Sequence, residues 1–250
     1  MPSEQLRVVA GKRGVLEAIR AGEASEVLVA KGARHSPAMR DVLDAADSAR
    51  VRTREVDRSA LDALADDHRG VVAKIDAMPT HTTLGERDLS TFSWGDDGVA
   101  VILDGVEDPQ NLGAAARSIE ASGARMLITR THRAAPVTPA AVRASAGALL
   151  HLPHARVANL SRAIERLQDI GFTVIGLDED APASIYEAAC PSGRVALVLG
   201  SEGTGISRLV REHCDLLVSL PMHGKVGSLN AAASLAAVLY AYVLPSRGGT

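Results

Sequence analysis

Hydrophobic and polar positions along the chain alternate between two patterns, one typical of buried strands and one typical of amphipathic helices. Between the strand-like runs, apolar residues recur at helical spacing, and Leu160, Ile164 and Leu167 share one face of a segment that Gly171 ends. We therefore predict an α/β domain around a parallel sheet over residues 99–245. The near-continuous apolar runs, typical of strands covered on both faces, are residues 99–105, 125–130, 172–178, 195–200 and 216–221.

The first 77 residues show the same alternation on a smaller scale, which predicts a compact three-layer α/β domain at residues 1–77. Residues 78–97 are rich in Pro, Gly, Thr and Ser and have no sustained period. We predict a linker there and a second domain at residues 98–250. In the first domain, helical patterns cover residues 11–22 and begin again at Pro37, and strand patterns cover residues 26–31, 51–57 and 70–76.

Loops of small and polar residues follow three of the predicted strands in the second domain. Because parallel sheets bind ligands at the carboxyl ends of their strands, these loops predict a ligand site. Their candidate polar groups are Asn111 and Arg117 in the first loop, Glu202 in the second, and Lys225, Ser228 and Asn230 in the third. Structural explanations remain open, since glycines allow turns, asparagines cap helices and a lone arginine is usually solvated.

Composition limits the classes of function. Aromatic residues make up only 2% of the chain, which argues against a base-stacking surface, and the net charge of −3 argues against a strongly basic, non-specific RNA binder. Local cationic groups, namely Lys12 with Arg13 and Arg50, Arg52 and Arg54 around one strand, are candidate RNA phosphate contacts or a solvated face. The two cysteines lack disulfide or metal-ligand spacing, so we expect no metal site and a reducing compartment. With no apolar signal segment at the start, we expect a cytoplasmic protein.

Three motifs in a fixed order carry a resemblance to a known family. Asn-Leu-Gly with Arg at the seventh position (111–117) precedes a strand ending in GSEGTG (200–205), and SLPM (219–222) with SLN (228–230) leads into an Ala-rich helix. This order resembles the SpoU (TrmH) family of S-adenosylmethionine (AdoMet)-dependent RNA ribose 2′-O-methyltransferases. The stretches at residues 11–19 and 68–75 resemble the ribosomal-protein-like RNA-binding domain of members that methylate a guanosine of 23S rRNA.

The resemblance implies a C-terminal SPOUT domain with a deep trefoil knot, a homodimer and AdoMet as cofactor, beside the small N-terminal RNA-binding domain. Arg117 is expected to reach the cofactor bound by the partner subunit. This chain has Ala231 and Ala232 where the family usually has Val-Ser, so position 232 offers no hydroxyl. The implied catalytic residues are Arg117, Asn111, Glu202, Ser228 and Asn230, and the implied cofactor-binding residues are Leu199, Gly200, Ser201, Glu202, Gly203, Leu220, Met222, Ser228 and Leu229.

The chemistry of methyl transfer from a sulfonium to a ribose hydroxyl is an in-line displacement, so proximity and orientation should dominate it. Arg117 stays protonated, and we expect it to bind the target phosphate and to lower the pKa of the hydroxyl electrostatically. Two alternatives remain: a tRNA or an antibiotic-resistance site in rRNA as the target, or a non-catalytic RNA-binding or ribosome-assembly protein.

Overall fold

The computed structural model describes residues 7–20, 23–33, 37–75, 83–224 and 227–247. They form one sheet of four strands and one of seven, with helices packed on both. The strands are β1 (Arg7–Ala10), β2 (Ala24–Ala30), β3 (Arg52–Val56), β4 (Val71–Ile75), β5 (Thr83–Leu84), β6 (Val99–Asp104), β7 (Met126–Arg130), β8 (His154–Val157), β9 (Phe172–Leu177), β10 (Arg194–Gly200) and β11 (Leu216–Val218).

The helices differ in length and in the faces they bury, and the last one continues into a π-helix at Leu239–Val243 and a 3₁₀ turn at Leu244–Arg247. None of the helices in the described ranges combines the length and apolar character that crossing a bilayer requires. The α-helices are α1 (Lys12–Arg20), α2 (Pro37–Ser48), α3 (Arg58–Asp62), α4 (Pro109–Ala121), α5 (Pro139–Ala144), α6 (Leu160–Asp169), α7 (Arg208–Glu212) and α8 (Ala231–Val238).

The N-terminal sheet has the strand order β1-β4-β2-β3, in which β4 is antiparallel to β1 and β2, and β2 is parallel to β3. Helices α1 and α2 bury Val15 and Met39 on one face, and α3 buries Leu61 on the other. The predicted three-layer arrangement is therefore confirmed. The sequence patterns missed β1, because a four-residue strand is too short to show a period.

The C-terminal sheet has the order β11-β9-β10-β6-β7-β8-β5, and every neighbouring pair is parallel. Strand β6 is buried along its whole length, and β10 is buried at every position between its ends. This confirms the α/β class and the parallel sheet. Helix α6 begins after Asn159, whose side chain accepts a hydrogen bond from the Arg162 N–H, and Gly171 follows it with φ of +87°.

Part of the predicted linker at residues 78–97 belongs to this second sheet. Strand β5 pairs with β8, and the Trp94 ring lies edge-on to Phe172 at 4.8 Å while its Nε1–H donates to the Leu89 carbonyl (2.8 Å). Residues 83–94 are thus packed on the C-terminal sheet, because β5 extends it beyond β8 and their apolar side chains join its core. Residues 78–82 lie outside the described residues.

The two sheets share one continuous apolar core across α1, α5 and the 3₁₀ turn at Ala148–Leu150. Gly147 lies against Glu17 of α1 so closely that a Cβ at this position would overlap the Glu17 Cβ and Cγ. Its φ of +95° is also a conformation that glycine adopts most readily. The N-terminal unit is therefore seated directly on the C-terminal one. The trefoil knot implied by the resemblance stays a prediction.

Candidate functional site

A cavity of about 630 Å³ opens at the carboxyl ends of β9, β10 and β11. We call it the strand-end cavity. Its position agrees with the sequence prediction, because parallel strands bring their following loops to one edge of the sheet. It is lined by Leu177 to Asp180, Leu199 to Ile206, Ser219 to Met222, Gly227 to Leu229, Ala231 and Ser234.

The loop after β10 is folded back tightly on its own strand. A Cβ on Gly200 would overlap backbone atoms of Gly205, so only glycine fits there without moving the loop. The Ser201 carbonyl accepts a hydrogen bond from the Gly205 N–H (3.0 Å), and the Ser201 and Thr204 hydroxyls lie 2.5 Å apart. Glycines in this loop therefore have a specific steric function in addition to allowing a turn.

A buried carboxylate fixes the far end of the same loop. Asp104, which ends β6 and is only 4% exposed, accepts a hydrogen bond from the Ser207 N–H (2.9 Å). The Arg130 guanidinium donates to the other Asp104 oxygen from Nε (3.0 Å) and Nη2 (2.9 Å), and also to the Ser207 hydroxyl (3.2 Å). The ends of β6 and β7 and the loop after β10 are thereby joined beneath the cavity. Sequence reasoning missed this network, because its partners are far apart in the chain.

The walls of the strand-end cavity combine apolar side chains with carboxylates. Four of the polar lining residues are acidic, namely Asp178, Glu179, Asp180 and Glu202. Asp178 is paired with Arg211 at 2.6 Å, whereas within the described residues Glu202 has no hydrogen-bond or ion-pair partner. The site therefore suits a ligand with an apolar part and a cationic or hydroxyl-bearing part. The acidic run directly after an apolar strand was a signal that sequence reasoning could have used.

All nine residues predicted to bind a cofactor line this cavity, including Glu202 and Ser228 of the predicted catalytic set. Asn230 caps α8 instead, since its Oδ1 accepts from the Ala233 N–H at 2.7 Å. Lys225 lies outside the described residues. Ala231 and Ala232 are both buried at the start of α8, where Ala231 lines the cavity.

The other two predicted catalytic residues, Asn111 and Arg117, do not line the strand-end cavity. Both lie on α4, and Asn111 is inside the helix rather than at its cap, because Asp108 is the N-cap and accepts from the Gln110 N–H (3.0 Å). Arg117 is exposed, and its guanidinium has no partner within the described residues. One chain therefore holds the predicted reactive groups in two places.

Arg117 lines a second cavity of about 630 Å³, which lies between the two units and which we call the interdomain cavity. Its walls come from the first turn of α1, the loop before β4, and helices α4 and α5. The lining residues are Ala10 to Gly14, Asp67, Arg69, Gln110, Arg117, Ala140, Arg143, Ala144 and Ala146.

The predicted RNA-binding residues fall on two separate surfaces. Lys12 and Arg13 join Arg117 at the interdomain cavity. Arg50, Arg52 and Arg54, which we call the β3 patch, lie at the opposite edge of the N-terminal sheet, where β3 is three strand spacings, or about 14 Å, from β1. Glu26 partly neutralises the β3 patch, because it pairs with Arg54 (3.5 Å), and its hydrogen bond from Lys74 (2.6 Å) lowers the pKa of its carboxyl.

The Cys214 thiol lacks the features of a reactive group. Burial raises the pKa of the Cys214 thiol to about 12, and its Sγ–H donates to the Val210 carbonyl (3.4 Å). Among the described residues, no cluster of three His, Cys, Asp or Glu side chains could hold a metal ion.

Solved structures that superpose on nearly the whole chain define the class of protein as an RNA methyltransferase. An RNA 2′-O ribose methyltransferase matches with a TM-score of 0.82 and 27% identity, covering 98% of this chain and 90% of that one. The SpoU methyltransferase AviRb from Streptomyces viridochromogenes, solved with AdoMet, matches with a TM-score of 0.75 and 28% identity over 97% of this chain and 91% of that one.

The chain belongs to the SpoU rRNA Methylase family, whose profile matches residues 98–240. The profile for RNA 2′-O ribose methyltransferase substrate binding matches residues 8–80. An uncharacterized tRNA/rRNA methyltransferase of Mycolicibacterium vanbaalenii is 37% identical and covers 95% of this chain and 76% of its own length. A Staphylococcus saprophyticus protein assigned to the TrmH family of tRNA/rRNA methyltransferases is 34% identical, with 93% of each chain covered. The family predicted from the motifs is confirmed.

Proposed function

We propose that the protein transfers a methyl group from AdoMet to the 2′-hydroxyl of a ribose in RNA, with a guanosine of 23S rRNA as the target. The observation that carries the proposal is the strand-end cavity, in which the nine residues matching the family's cofactor motifs meet around one space. The substrate-binding profile at residues 8–80 supports RNA as the substrate. We therefore expect the enzyme to act in the cytoplasm, where tRNA and rRNA are found.

The residues of the strand-end cavity fit AdoMet. Leu199, Leu220 and Leu229 supply apolar surface for a purine, and Glu202, which has no partner among the residues the structure describes, supplies a carboxylate for a cationic ligand. The tight loop after Gly200 presents backbone N–H and C=O groups that can form hydrogen bonds with the polar edge of that purine. When bound, AdoMet supplies an activated methyl group on a sulfonium, and no metal is required for that transfer.

The residues of this chain then have to position a ribose and manage its proton. We assign Arg117 to the phosphate next to the target ribose, where its fixed charge favours the deprotonated hydroxyl. Ser228 and Glu202 border the space where the methyl donor would lie. Asn230 holds the first turn of α8, and its amide nitrogen is left to donate to a ligand.

We also propose that the active enzyme is a homodimer in which each site is shared. The support is the separation of Asn111 and Arg117 from the strand-end cavity of their own chain, which leaves that cavity without a cation among the described residues. Large apolar side chains at and near the cavity are also exposed, with Met222 at 37%, Leu229 at 44% and Tyr240 at 51%. A second copy could cover them and bring its Arg117.

A mixing experiment tests the shared site. Arg117→Ala keeps the strand-end cavity, and Gly200→Val displaces the loop that forms the cavity wall but keeps Arg117, so neither homodimer should transfer methyl groups. Mixed one to one with subunit exchange, half of the dimers carry one complete site of two, and about a quarter of wild-type activity should return. No recovery after verified exchange would show that Arg117 does not act across the dimer.

The target is tested with labelled AdoMet and transcripts of 23S rRNA and tRNA, followed by mapping of the methylated position. We expect methyl incorporation at a guanosine 2′-hydroxyl of 23S rRNA. Modification of tRNA only would reject the proposed target, and a methylated base would reject ribose chemistry. Absence of AdoMet binding by calorimetry would favour a non-catalytic RNA-binding role.

The domain bounds of 1–77 and 98–250 are likewise proposed, and we assign residues 83–94 to the methyltransferase sheet on which they pack. The proposed trefoil knot would lie in the C-terminal segment that supplies the strand-end cavity.

A further inference from the structure

The interdomain cavity has an excess of positive charge that the rest of the chain does not share. Five cationic side chains line it, namely Lys12, Arg13, Arg69, Arg117 and Arg143, against the single carboxylate of Asp67. The chain as a whole carries 27 Lys and Arg against 30 Asp and Glu. The cavity is thus a local concentration of cations in an otherwise slightly acidic protein.

Three of these five cationic side chains form no hydrogen bond or ion pair with another described residue. Asp67 pairs with Arg69 at 3.4 Å, but the guanidinium groups of Arg13, Arg117 and Arg143 have no hydrogen-bond or ion-pair partner there. Several cations around one cavity repel each other, which raises the free energy of the folded protein, and a bound anion would offset this repulsion. Arg143 is half-buried, so its charge is less well screened by water than that of an exposed arginine.

The backbone of α1 adds to the same field. This helix of nine residues begins at Lys12 with no acidic residue in its first turn, and the positive end of its dipole faces the cavity. Gly14, whose added Cβ would lie 2.9 Å from Val9 Cγ1, keeps this turn close to β1. The helix end strengthens the attraction that the side chains provide.

We propose that the interdomain cavity binds backbone phosphates of the RNA substrate beside the target nucleotide, so that Lys12, Arg13, Arg69 and Arg143 act together with Arg117. This inference rests on the proposed function and adds two things to it. The N-terminal unit contributes residues directly to the reaction site, and Arg143 of α5 becomes an RNA-positioning residue.

Cavity geometry favours RNA phosphate over other anions. The cations come from both units and surround a space of about 630 Å³, too large for one free phosphate and suited to a bent phosphodiester segment. Small side chains at Ala140, Ala144 and Ala146 leave the α5 wall open to a bulky polymer. Arg117, the proposed reactive residue, lies on the α4 wall of the same cavity, which links phosphate binding to ribose placement.

The test compares two double variants that each remove two cations. Arg13→Ala with Arg143→Ala changes one residue on each side of the cavity, and Arg40→Ala with Arg58→Ala removes two exposed cations of the N-terminal unit that do not line it. Binding of a 23S rRNA fragment is measured by fluorescence anisotropy over a range of salt concentrations, together with AdoMet binding and single-turnover methyl transfer.

For Arg13→Ala with Arg143→Ala, the cavity variant, we expect the Kd for RNA to rise about tenfold or more. The slope of log Kd against log salt should fall by about 1.4, since each phosphate of single-stranded RNA that is no longer neutralised lowers it by roughly 0.7. AdoMet binding should not change. The single-turnover rate should fall even at saturating RNA, because the ribose is no longer held in place, and Arg143→Lys should restore most of the salt slope.

Equal RNA affinity and salt slope in the two double variants would overturn the inference. If the cavity variant does not fold, Arg143→Gln alone carries the same test with half the expected change in slope. Failure of the proposed function is separate: a wild-type protein that binds RNA through this cavity but transfers no methyl group would reject the activity and leave the phosphate site standing.

Discussion

Asp104→Asn should weaken both the fold and the cofactor site, because one buried carboxylate accepts hydrogen bonds from Arg130 and from the Ser207 N–H. An asparagine has one acceptor oxygen in place of two. With that oxygen facing Arg130, its amide group would point two N–H donors at the Ser207 N–H, which then loses its acceptor. The substitution therefore breaks the link between β6 and the loop after β10.

The size of the effect follows from the hydrogen bonds that the substitution removes. Hydrogen bonds to charged groups contribute about 1.5–3 kcal/mol each, but the Arg130 side chain is 31% exposed, so solvent screens its share. A total loss of about 3 kcal/mol is expected, which for a chain of this size lowers the melting temperature by roughly 6–12 °C. The freed loop should raise the Kd for AdoMet by about tenfold or more, since tenfold corresponds to about 1.4 kcal/mol.

Thermal unfolding measures the first effect, and calorimetric titration of AdoMet at a temperature where the variant is folded measures the second. The matched control is Asp215→Asn. Asp215 also accepts a backbone hydrogen bond, from the Val174 N–H at 2.7 Å, but it is exposed and does not line the strand-end cavity. It should lose less stability and keep wild-type AdoMet affinity. A wild-type melting temperature and Kd in Asp104→Asn, or an equal loss of AdoMet affinity in the control, would refute the reasoning.

Three further substitutions test the geometry. Gly200→Ala should abolish AdoMet binding measured by calorimetry, because the added Cβ overlaps the loop backbone; tight binding would show that the loop can move. Gly147→Ala should reduce RNA affinity in anisotropy assays while AdoMet still binds, because it pushes Glu17 away, whereas Gly123→Ala, also at positive φ but in open space, should not. Burial lowers the pKa of His154 to about 4, so its contribution to stability is complete above pH 6.5 and is lost as the pH falls towards 4. In His154→Gln the urea midpoint should therefore depend less on pH between about 4 and 6.5. An unchanged slope of the midpoint against pH would contradict this.

Apolar strands could be predicted from the sequence, including the three-residue β11, whereas short strands with polar residues could not. Strands β6 and β10 have six and seven residues with buried positions throughout their centres, so their pattern is unambiguous. Strand β8 reads His-Ala-Arg-Val and is a strand only because β7 and β5 pair with it on either side. Tertiary pairing, which no local pattern contains, decides such cases.

The residues of the site divide in the same way, into those that a local sequence pattern predicts and those that depend on tertiary packing. The nine cofactor-motif residues that line the strand-end cavity could be named because each follows a recognisable strand or matches a motif, whereas the acidic run from Asp178 to Asp180 was not named. The sequence allows Asn111 as a helix cap, but Asp108 caps α4, and the neighbouring Pro109 at the first helical position is the better signal. The neighbours of Arg117 could not be foreseen, since they depend on how two separately folded units pack against each other.

The strand order also has a consequence for synthesis of the chain. Strand β9 has only β10 and β11 as neighbours, and both are made after it, while β10 lies between β9 and β6. A nascent chain that has emerged only as far as β9 therefore carries an apolar strand for which neither native neighbour has yet been made. The sheet can be completed only when the segment that builds the strand-end cavity arrives, so the growing polypeptide should rely on chaperone protection until late in translation.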